Sequence, residues 1–255
     1  MLKINGKVIT DVVYKGKRIQ RIMVGGKKYY DMYDGKIIGN ALEAGSISID
    51  GKTYNYGVGY FEISVGDLKS ASLSQLFSNK KISTITHLGI DTRRVTSMQS
   101  MFQGCGSLTS LDVSNFNTQN VTNMQALFQG CSSLKSLDVS NFNTQNVTNM
   151  YYMFFNCGSL TSINLGDKFD ASKISSVENM FYLCSSLKTI TGSIKNLSIS
   201  LNLSSCPLDH DSALRIINGL ATVTTAQTLT LSSTTKSTLS ATEKAVLINK
   251  GWTLA

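Results

Sequence analysis

The chain has 255 residues, enough for one repeat domain and one small additional unit, and its hydrophobic share of 42% is ordinary for a globular protein. No segment approaches the roughly 20 consecutive apolar residues of a membrane-spanning helix, so we expect no membrane span. The first residues lack the apolar core of a signal peptide, and export by that route is not expected if Met1 is the natural start.

The positive charge is concentrated at the N terminus. Residues 1–40 carry nine Lys or Arg and three Asp, a net charge of +6 out of the +8 of the whole chain. Such a segment could bind nucleic acid or an acidic partner. Solvated lysines that protect the edges of strands are the simpler interpretation, and we therefore do not expect a nucleic-acid partner.

A short glycine-lysine motif recurs about every ten residues in this basic segment. It reads Asn5-Gly6-Lys7, then Lys15-Gly16-Lys17, then Gly25-Gly26-Lys27. Asn-Gly and Gly-Gly between apolar residues are typical of β-hairpin turns. We predict a small antiparallel β-meander over residues 1–40 that serves as a docking or assembly module. Residues 41–70, with strands predicted at 47–49 and 61–64, would form a β-rich cap or linker.

The central part of the chain repeats itself almost letter for letter. Residues 110–124 read SLDVSNFNTQNVTNM, and residues 136–150 read the same 15 letters 26 positions later. Related copies begin at Val95, Val147 and Ile174. A fixed period in the twenties predicts a solenoid, in which each repeat packs on its neighbours.

Two shorter periods alternate inside each repeat. Leu108, Leu111 and Val113 follow the L-x-x-L-x-V pattern of a leucine-rich repeat strand. Val121, Met124 and Phe128 are spaced three and four residues apart, which predicts one face of a short helix. Each repeat is therefore predicted to contain a strand, a turn and a short helix.

The C-terminal part keeps this alternation without the repeated letters. Strands are predicted at residues 201–203, 228–231 and 252–254, and helices from about Asp211 to Asn218 and after the Ser240-Ala241-Thr242-Glu243 capping box. Atypical terminal repeats of this kind cap the open end of a solenoid. The repeat region is thus predicted to cover residues 71–255.

The N-V-T-N-M, M-F-x-x-C-x-S-L and S-L-D-V-S-x-F stretches resemble the BspA-like leucine-rich repeats, a 26-residue bacterial surface-protein repeat. Members of that family are mostly surface or secreted proteins linked to adhesion, and the resemblance implies such a role here. The overall layout, a basic Gly-Lys segment followed by repeats and the ending KGWTLA, is similar to tail or receptor-binding proteins of phages that infect gut bacteria.

The cysteines and histidines predict packing and capping rather than chemistry. Cys105, Cys131, Cys157 and Cys184 occupy one repeat position, which predicts a buried column. Cys206 and His210 alone are too few ligands for zinc. His210 lies between two aspartates at a predicted helix start, where Asp caps the helix. We expect no catalytic residues, no metal and no cofactor.

The outward positions of the predicted strands are the leading candidates for a binding face: Ser110, Asp112, Ser114, Ser136, Asp138, Ser140 and Asn164. Asp112 and Asp138 could attract a cation, a sugar hydroxyl or a basic side chain, because neighbouring carboxylates repel each other. Alternatively, the repeat simply accommodates a solvated Asp there. Tyr151 and Tyr152 replace Gln125 and Ala126 of the preceding repeat. They could contact a partner or a glycan, or instead pack against a neighbouring subunit or the next repeat.

The sequence therefore predicts an α/β leucine-rich repeat solenoid of parallel strands and short helices, preceded by a small antiparallel β-meander. We expect a non-enzymatic recognition or adhesion protein, with a phage tail-associated or receptor-binding component as the leading interpretation. A bacterial surface adhesin is the alternative, and a glycan-active enzyme on a repeat scaffold is the third.

Expected partners are a host cell-surface protein or glycan, and other virion or surface proteins through residues 1–40. A homo-oligomer is also considered. The expected location is the virion, assembled in the host cytoplasm, or alternatively the bacterial cell surface or exterior.

Overall fold

The computed structural model describes residues 35–66 and 70–255 in full, together with six short strands within residues 1–34. These strands form three antiparallel pairs: Lys3–Ile4 (β1) with Lys7–Val8 (β2), Val13–Tyr14 (β3) with Lys17–Arg18 (β4), and Ile22–Val24 (β5) with Lys27–Tyr29 (β6). The predicted antiparallel pairing is confirmed, and the predicted glycine turns lie outside the described residues. Each pair is its own two-stranded sheet, so the described strands do not form one continuous meander. Strands this short offer few hydrogen bonds with which to hold a further neighbour.

The next five strands surround the start of the repeats: Lys36–Ala41 (β7), Gly45–Ile49 (β8), Lys52–Tyr56 (β9), Gly59–Ser64 (β10) and Ile82–Leu88 (β11). β7 lies between β10 and β11 and is antiparallel to both. The turn between β8 and β9 contains Asp50 and Gly51 with φ of 51° and 73°, as a tight hairpin requires. The strands predicted at 47–49 and 61–64 are confirmed. β7 crosses the domain boundary predicted at residue 40, and residues 67–69 lie outside the described part.

The repeats continue this sheet and then form a second one. Ser110–Leu111 (β12) pairs in parallel with β11. Ser136–Asp138 (β13), Ser162–Asn164 (β14) and Thr189–Thr191 (β15) form a three-stranded parallel sheet. The register pairs residues that are 26 apart between β13 and β14 and 27 apart between β14 and β15. The repeat period of the sequence is therefore the register of the sheet.

The segment that the sequence predicts as a short helix in each repeat is not helical, and this prediction is wrong. The amide of Met124 donates to the carbonyl of Asn149 in the next repeat at 2.9 Å, and Phe128 donates to Met153 at 2.9 Å. The amide of Leu127, between them, donates instead to Met124 within the same repeat at 3.3 Å. Alternate amides thus bond to the neighbouring repeat, which an α-helix does not allow because its amides bond four residues back.

We call this series of inter-repeat bonds the turn ladder; its five rows are residues 73–79, 98–104, 124–130, 150–156 and 177–183. Each of the five rows contains two left-handed residues, four positions apart, such as Ala126 at φ 54° and Gly130 at φ 73°. The apolar spacing of three and four remains satisfied, because Met124 and Phe128 still point into the core. Periodicity alone does not distinguish a helix from this ladder.

The core consists of columns of identical or similar side chains from successive repeats. Phe77, Phe102, Phe128, Phe154 and Phe181 stack with ring centroids 5.1–5.7 Å apart. Their interplanar angles are at most 18°, so the rings lie almost parallel. All five are fully buried. Such offset stacking adds to the hydrophobic stabilisation from burial.

The C-terminal part forms a third parallel sheet with helices beside it. Its elements are Leu201–Leu203 (β16), His210–Gly219 (α1), Gln227–Leu231 (β17), Ser233–Thr238 (α2), Ala241–Asn249 (α3) and Trp252–Leu254 (β18). β17 lies between β16 and β18 and is parallel to both. Ser240 and Glu243 form the predicted capping box at the start of α3. The predicted strands and helices of this region are confirmed. Overall, the described residues contain mostly short strands, several parallel sheets and three helices.

Candidate binding faces

The strand face contains the predicted polar residues, and the parallel register brings part of it together. Ser136 is opposite Ser162, and Asp138 is opposite Asn164. Ser110 lies on β12 and pairs with Thr84 of β11 instead. Ser110, Asp112, Ser114, Ser136 and Asp138 are exposed, while Ser140 and Asn164 are half-buried. The predicted outward orientation of these residues is thus consistent with the structure.

The carboxylates of the strand face organise the local backbone. Asp112 accepts a hydrogen bond from the Ser114 amide at 2.9 Å, and Asp138 accepts one from the Ser140 amide at 2.9 Å. The second oxygen of Asp138 accepts a bond from the Asn164 side chain at 3.2 Å. Hydrogen bonding by Ser140 and Asn164 outweighs partial burial and lowers the pKa of Asp138. Asp138 is therefore held ionised by protein groups.

No metal centre accompanies these carboxylates in the described part of the chain. Within residues 35–66 and 70–255, no three His, Cys, Asp or Glu side chains lie close enough together to hold an ion. The strand face is a hydrogen-bonding surface of hydroxyls, amides and single carboxylates.

Gly166 occupies the repeat position at which the two preceding repeats have Ser114 and Ser140. Its φ is 66°, and a Cβ there would lie 2.5 Å from the carbonyl oxygen of Ser140. Only glycine accommodates both the left-handed backbone and this close approach. The hydroxyl column therefore ends at β14.

The two predicted tyrosines contact each other on the turn ladder. The ring centroids of Tyr151 and Tyr152 are 3.9 Å apart, with an interplanar angle of 56°. Hydrogen bonding to Tyr152 raises the pKa of Tyr151 to about 12. Both side chains are half-buried, and Tyr152 has a left-handed φ of 58°. That backbone strain in a bulky residue is tolerated because the ladder fixes the conformation.

Phe155 and Tyr182, which the sequence analysis missed, extend this pair into an aromatic patch, and the exposed Leu183 adjoins Tyr182 in the sequence. Phe155 packs edge-on against Tyr152 at 4.7 Å, and Tyr182 lies 5.9 Å from Phe155. Tyr182 and Leu183 are 41% and 42% exposed, respectively, which is high for such large apolar side chains. Phe155 and Tyr182 occupy one repeat position, where the two preceding repeats have Gln103 and Gln129. Alignment of these columns could have revealed the patch.

We define the aromatic patch as Tyr151, Tyr152, Phe155, Tyr182 and Leu183. Within the described residues, no hydrogen bond or ring contact joins it to the polar residues of the strand face. The structure therefore divides the predicted site into two separate surfaces of different chemistry.

The cysteines form the predicted buried column, and all five thiols are free. Each thiol donates to the backbone carbonyl of a phenylalanine one repeat earlier, as Cys131 does to Phe102 at 3.3 Å. Cys206 extends the column to Phe181 at 3.5 Å. Burial raises the pKa of Cys105 to about 11 and that of Cys184 to about 12. The column is a packing element with weak hydrogen bonds, and Cys206 belongs to it rather than to a site with His210.

His210 and the carboxylates near it lie at the starts of two helices, where they act as helix caps or contact them. Asp209 is the N-cap of α1 and accepts a hydrogen bond from the Ser212 amide at 2.8 Å. His210 lies 3.2 Å from Glu243, which also closes the capping box of α3. The predicted capping role of Asp209 is confirmed, and the imidazole links the starts of two helices.

Comparison with known proteins gives one similarity. The family described as "Mycoplasma protein of unknown function, DUF285" matches residues 71–194, just under half of the chain. That family is related to the BspA-like repeats. The matched segment contains every row of the turn ladder and strands β11 to β15. No curated protein and no solved structure matches the chain.

None of the helices in the described ranges is both long and apolar enough to cross a bilayer.

Proposed function

We propose that this protein is a non-enzymatic recognition protein built on a BspA-like leucine-rich repeat solenoid. The support for a solenoid is the constant register of 26 or 27 residues and the continuous Phe and Cys columns. Such stacks have rigid, extended surfaces on which outward side chains keep fixed spacings. The similarity of residues 71–194 to a repeat-type family is consistent with this reading.

The aromatic patch is the single observation that carries the proposal. Tyrosines provide large, rigid contact area with a polar tip, and they are enriched at binding hot spots. This patch appears in only one part of a repetitive surface, although the scaffold positions are equivalent in every repeat. A protein or glycan on a host cell surface is the partner class that we propose for it.

The strand face argues against the glycan-hydrolase alternative. Glycoside hydrolysis uses a carboxylate pair in which one member keeps a raised pKa and acts as the acid. The pKa of Asp138 is lowered, and both of its oxygens already accept hydrogen bonds from Ser140 and Asn164. A general acid would have the opposite environment.

We place the protein in a phage virion, as a tail-associated or receptor-binding component that is assembled in the host cytoplasm. The support is the basic Gly-Lys segment with its three short strand pairs, which would attach the repeats to other virion proteins or to further copies of the chain. A bacterial surface adhesin is the alternative setting, and the aromatic patch would serve that role equally well.

Binding to bacterial envelopes tests the recognition role. The variant Tyr151→Gln/Tyr152→Ala restores the residues of the preceding repeat, Gln125 and Ala126, and should therefore fold normally. We expect it to bind labelled envelopes about 10- to 30-fold more weakly than the parent, as the loss of a hot spot predicts. Ser100→Ala makes the equivalent change in a repeat without the patch and should bind like the parent. Equal binding by all three proteins would contradict the proposal.

Solution mass separates the two settings. Because β7 is an internal strand of its sheet, a truncation should begin at Gly35, ahead of Lys36, rather than at residue 41. The solution masses of the full chain and of the truncation are measured by light scattering. If the full chain is a trimer or larger and the truncation is a monomer, the virion setting is favoured. If both proteins are monomers, docking through residues 1–40 loses its support, and the bacterial surface adhesin becomes the favoured setting.

A further inference from the structure

The turn ladder ends with an open row of backbone donors. In the row 150–156, alternate amides donate to the following row; for example, Tyr152 donates to Glu178 at 3.1 Å and Phe154 donates to Met180 at 2.9 Å. The equivalent amides of the last row belong to Val177, Asn179, Phe181 and Leu183. Among the described residues, none of these four amides has an acceptor.

The same edge also presents an acceptor. Within the ladder, the Thr148 carbonyl accepts the Ser175 amide at 2.9 Å, next to the bond from Met150 to Ser176. The Ser175 carbonyl is the equivalent group of the last row, and no described residue donates to it. The edge therefore repeats the hydrogen-bonding pattern with which each inner row holds its successor.

In the last repeat, the backbone at the edge of strand β15 has a hydrogen-bonding partner, whereas the four amides at the edge of the turn ladder have none among the described residues. The hydroxyl of Ser212 in α1 accepts from the Ile190 amide at 2.8 Å and lies 3.4 Å from the Ile190 carbonyl. Ser212 thus pairs the edge of β15 at its centre. Along the ladder edge, the described residues provide no corresponding side chain.

A groove of about 370 Å³ lies directly against this open edge. One wall contains Ser175, Val177 and Asn179, the groups at the start of the unpaired row. The opposite wall contains Asn202 from β16 with Thr228 and Thr230 from β17. The groove has room for a chain between a row of backbone amides and a row of hydroxyl and amide side chains.

We propose that this groove binds a peptide segment that continues the turn ladder. The peptide lies parallel to residues 175–179, which line the groove. It accepts hydrogen bonds from the Val177 and Asn179 amides through its alternate carbonyls, and it donates one to the Ser175 carbonyl. This is backbone pairing at an open edge, a recurrent mode of peptide recognition. It uses a surface other than the strand face, and it does not depend on the virion setting.

The ladder conformation also specifies which peptides fit. Each inner row has left-handed residues four positions apart, for example Ser100 with Gly104 and Ala126 with Gly130. Glycine and asparagine adopt this conformation most readily, and proline does not adopt it at all. The preferred ligand therefore has small residues, Gly or Asn at every fourth position.

Hydrogen exchange on the unliganded protein is the first test. We expect the amides of Val177 and Asn179 to exchange much faster than those of Met150 and Tyr152, which occupy equivalent ladder positions and are bonded. Equal protection of both pairs in the monomer would show that the edge is already closed and would overturn the proposal. Protection that appears only with a rise in solution mass would identify a second copy of this chain as the occupant, which also overturns it.

The second test uses a peptide probe, TNMQALFQG, which copies residues 122–130. In the fold, the carbonyls of Asn123, Gln125, Leu127 and Gln129 accept bonds from the preceding row. At roughly millimolar concentration, the probe should protect the Val177 and Asn179 amides. The same peptide with proline in place of Ala126 cannot adopt the left-handed φ and should give no protection.

Protein variants locate the site. Thr230→Arg fills the groove and should abolish protection by the probe, whereas Thr224→Arg, on an exposed loop outside the groove, should not. No protection by the probe, or equal protection with Thr230→Arg, overturns the proposal. Envelope binding by the parent and by Tyr151→Gln/Tyr152→Ala is measured separately, so failure of the groove leaves the recognition role intact.

Discussion

Thr118 holds both backbone groups of Asn143 in the next repeat. Its hydroxyl donates to the Asn143 carbonyl at 3.0 Å and accepts from the Asn143 amide at 2.7 Å. Thr118 is only 1% exposed, so water cannot replace either bond. Thr92 makes the same pair of bonds with Asn117 one repeat earlier. This buried threonine column joins successive repeats at a point where no strand pairs.

Removal of the Thr118 hydroxyl should therefore be strongly destabilising. Thr118→Val keeps the volume but leaves a buried amide and a buried carbonyl unpaired, which should lower the free energy of unfolding by about 2–4 kcal/mol. Thr122→Val is the matched control, because the exposed Thr122 hydroxyl also bonds across a repeat, to Thr96 at 3.2 Å. Water can replace that bond, and we expect a loss below about 1 kcal/mol in urea unfolding. Similar losses in both variants would contradict this account.

The phenylalanine stack should account for much of the stability of the repeats. Phe128→Ala removes a fully buried ring between Phe102 and Phe154, and the expected loss is about 3–5 kcal/mol. Phe155→Ala, in the half-buried aromatic patch, should lower the free energy of unfolding by clearly less in the same denaturant titration. If the two losses were equal, stacking in the column would not be the source of stability.

The thiols should be inert until the protein unfolds. All five cysteines are buried and free, and burial raises the pKa of Cys105 to about 11. Because the thiolate is the reactive species, we expect almost no reaction with an aromatic disulfide reagent near pH 8. All five thiols should react once denaturant is added. Rapid labelling of even one thiol in the folded protein would show that the column opens locally.

Stability should fall at acidic pH. Asp138 has a lowered pKa in the folded protein because Ser140 and Asn164 bond its carboxylate. A depressed pKa contributes stability that is fully present above the unfolded value, near pH 4, and is lost as the pH falls through the folded value. Thermal unfolding measured between about pH 6 and about pH 2 should show this decline.

Asp138→Asn should flatten that decline, because the variant has no carboxylate to protonate at this position. Ser140→Ala keeps the backbone amide and removes the hydroxyl, so its pH dependence should be intermediate. If the thermal stability of Asp138→Asn falls with decreasing pH as steeply as that of the parent, other groups dominate the pH dependence.

Much of the fold was already specified by local sequence. The 15 identical residues of segments 110–124 and 136–150, which are 26 positions apart, predict the register, because identical segments stack best when equivalent side chains meet. The capping box at Ser240 and the N-cap at Asp209 determine where α3 and α1 begin. The cysteine column followed from the constant spacing of one small apolar residue.

The turn ladder could not be predicted in this way. Val121, Met124 and Phe128 have the spacing of a helix face, and both conformations would bury them equally. The ladder forms because alternate amides find carbonyls in the next repeat, and such partners exist only once repeats are stacked. The extension of the aromatic patch to Tyr182 is likewise a contact between repeats.

The sequence by itself determined the repeat, its register, its buried columns and the capping of its C-terminal helices, because each of these depends on residue type and spacing along the chain. Only the tertiary structure decided that the turn segments are ladders, that the polar and aromatic residues form two separate surfaces, and that one edge of the ladder stays open. These three features depend on hydrogen bonds and contacts between residues about 26 positions apart, whose geometry is fixed only by the packed neighbours.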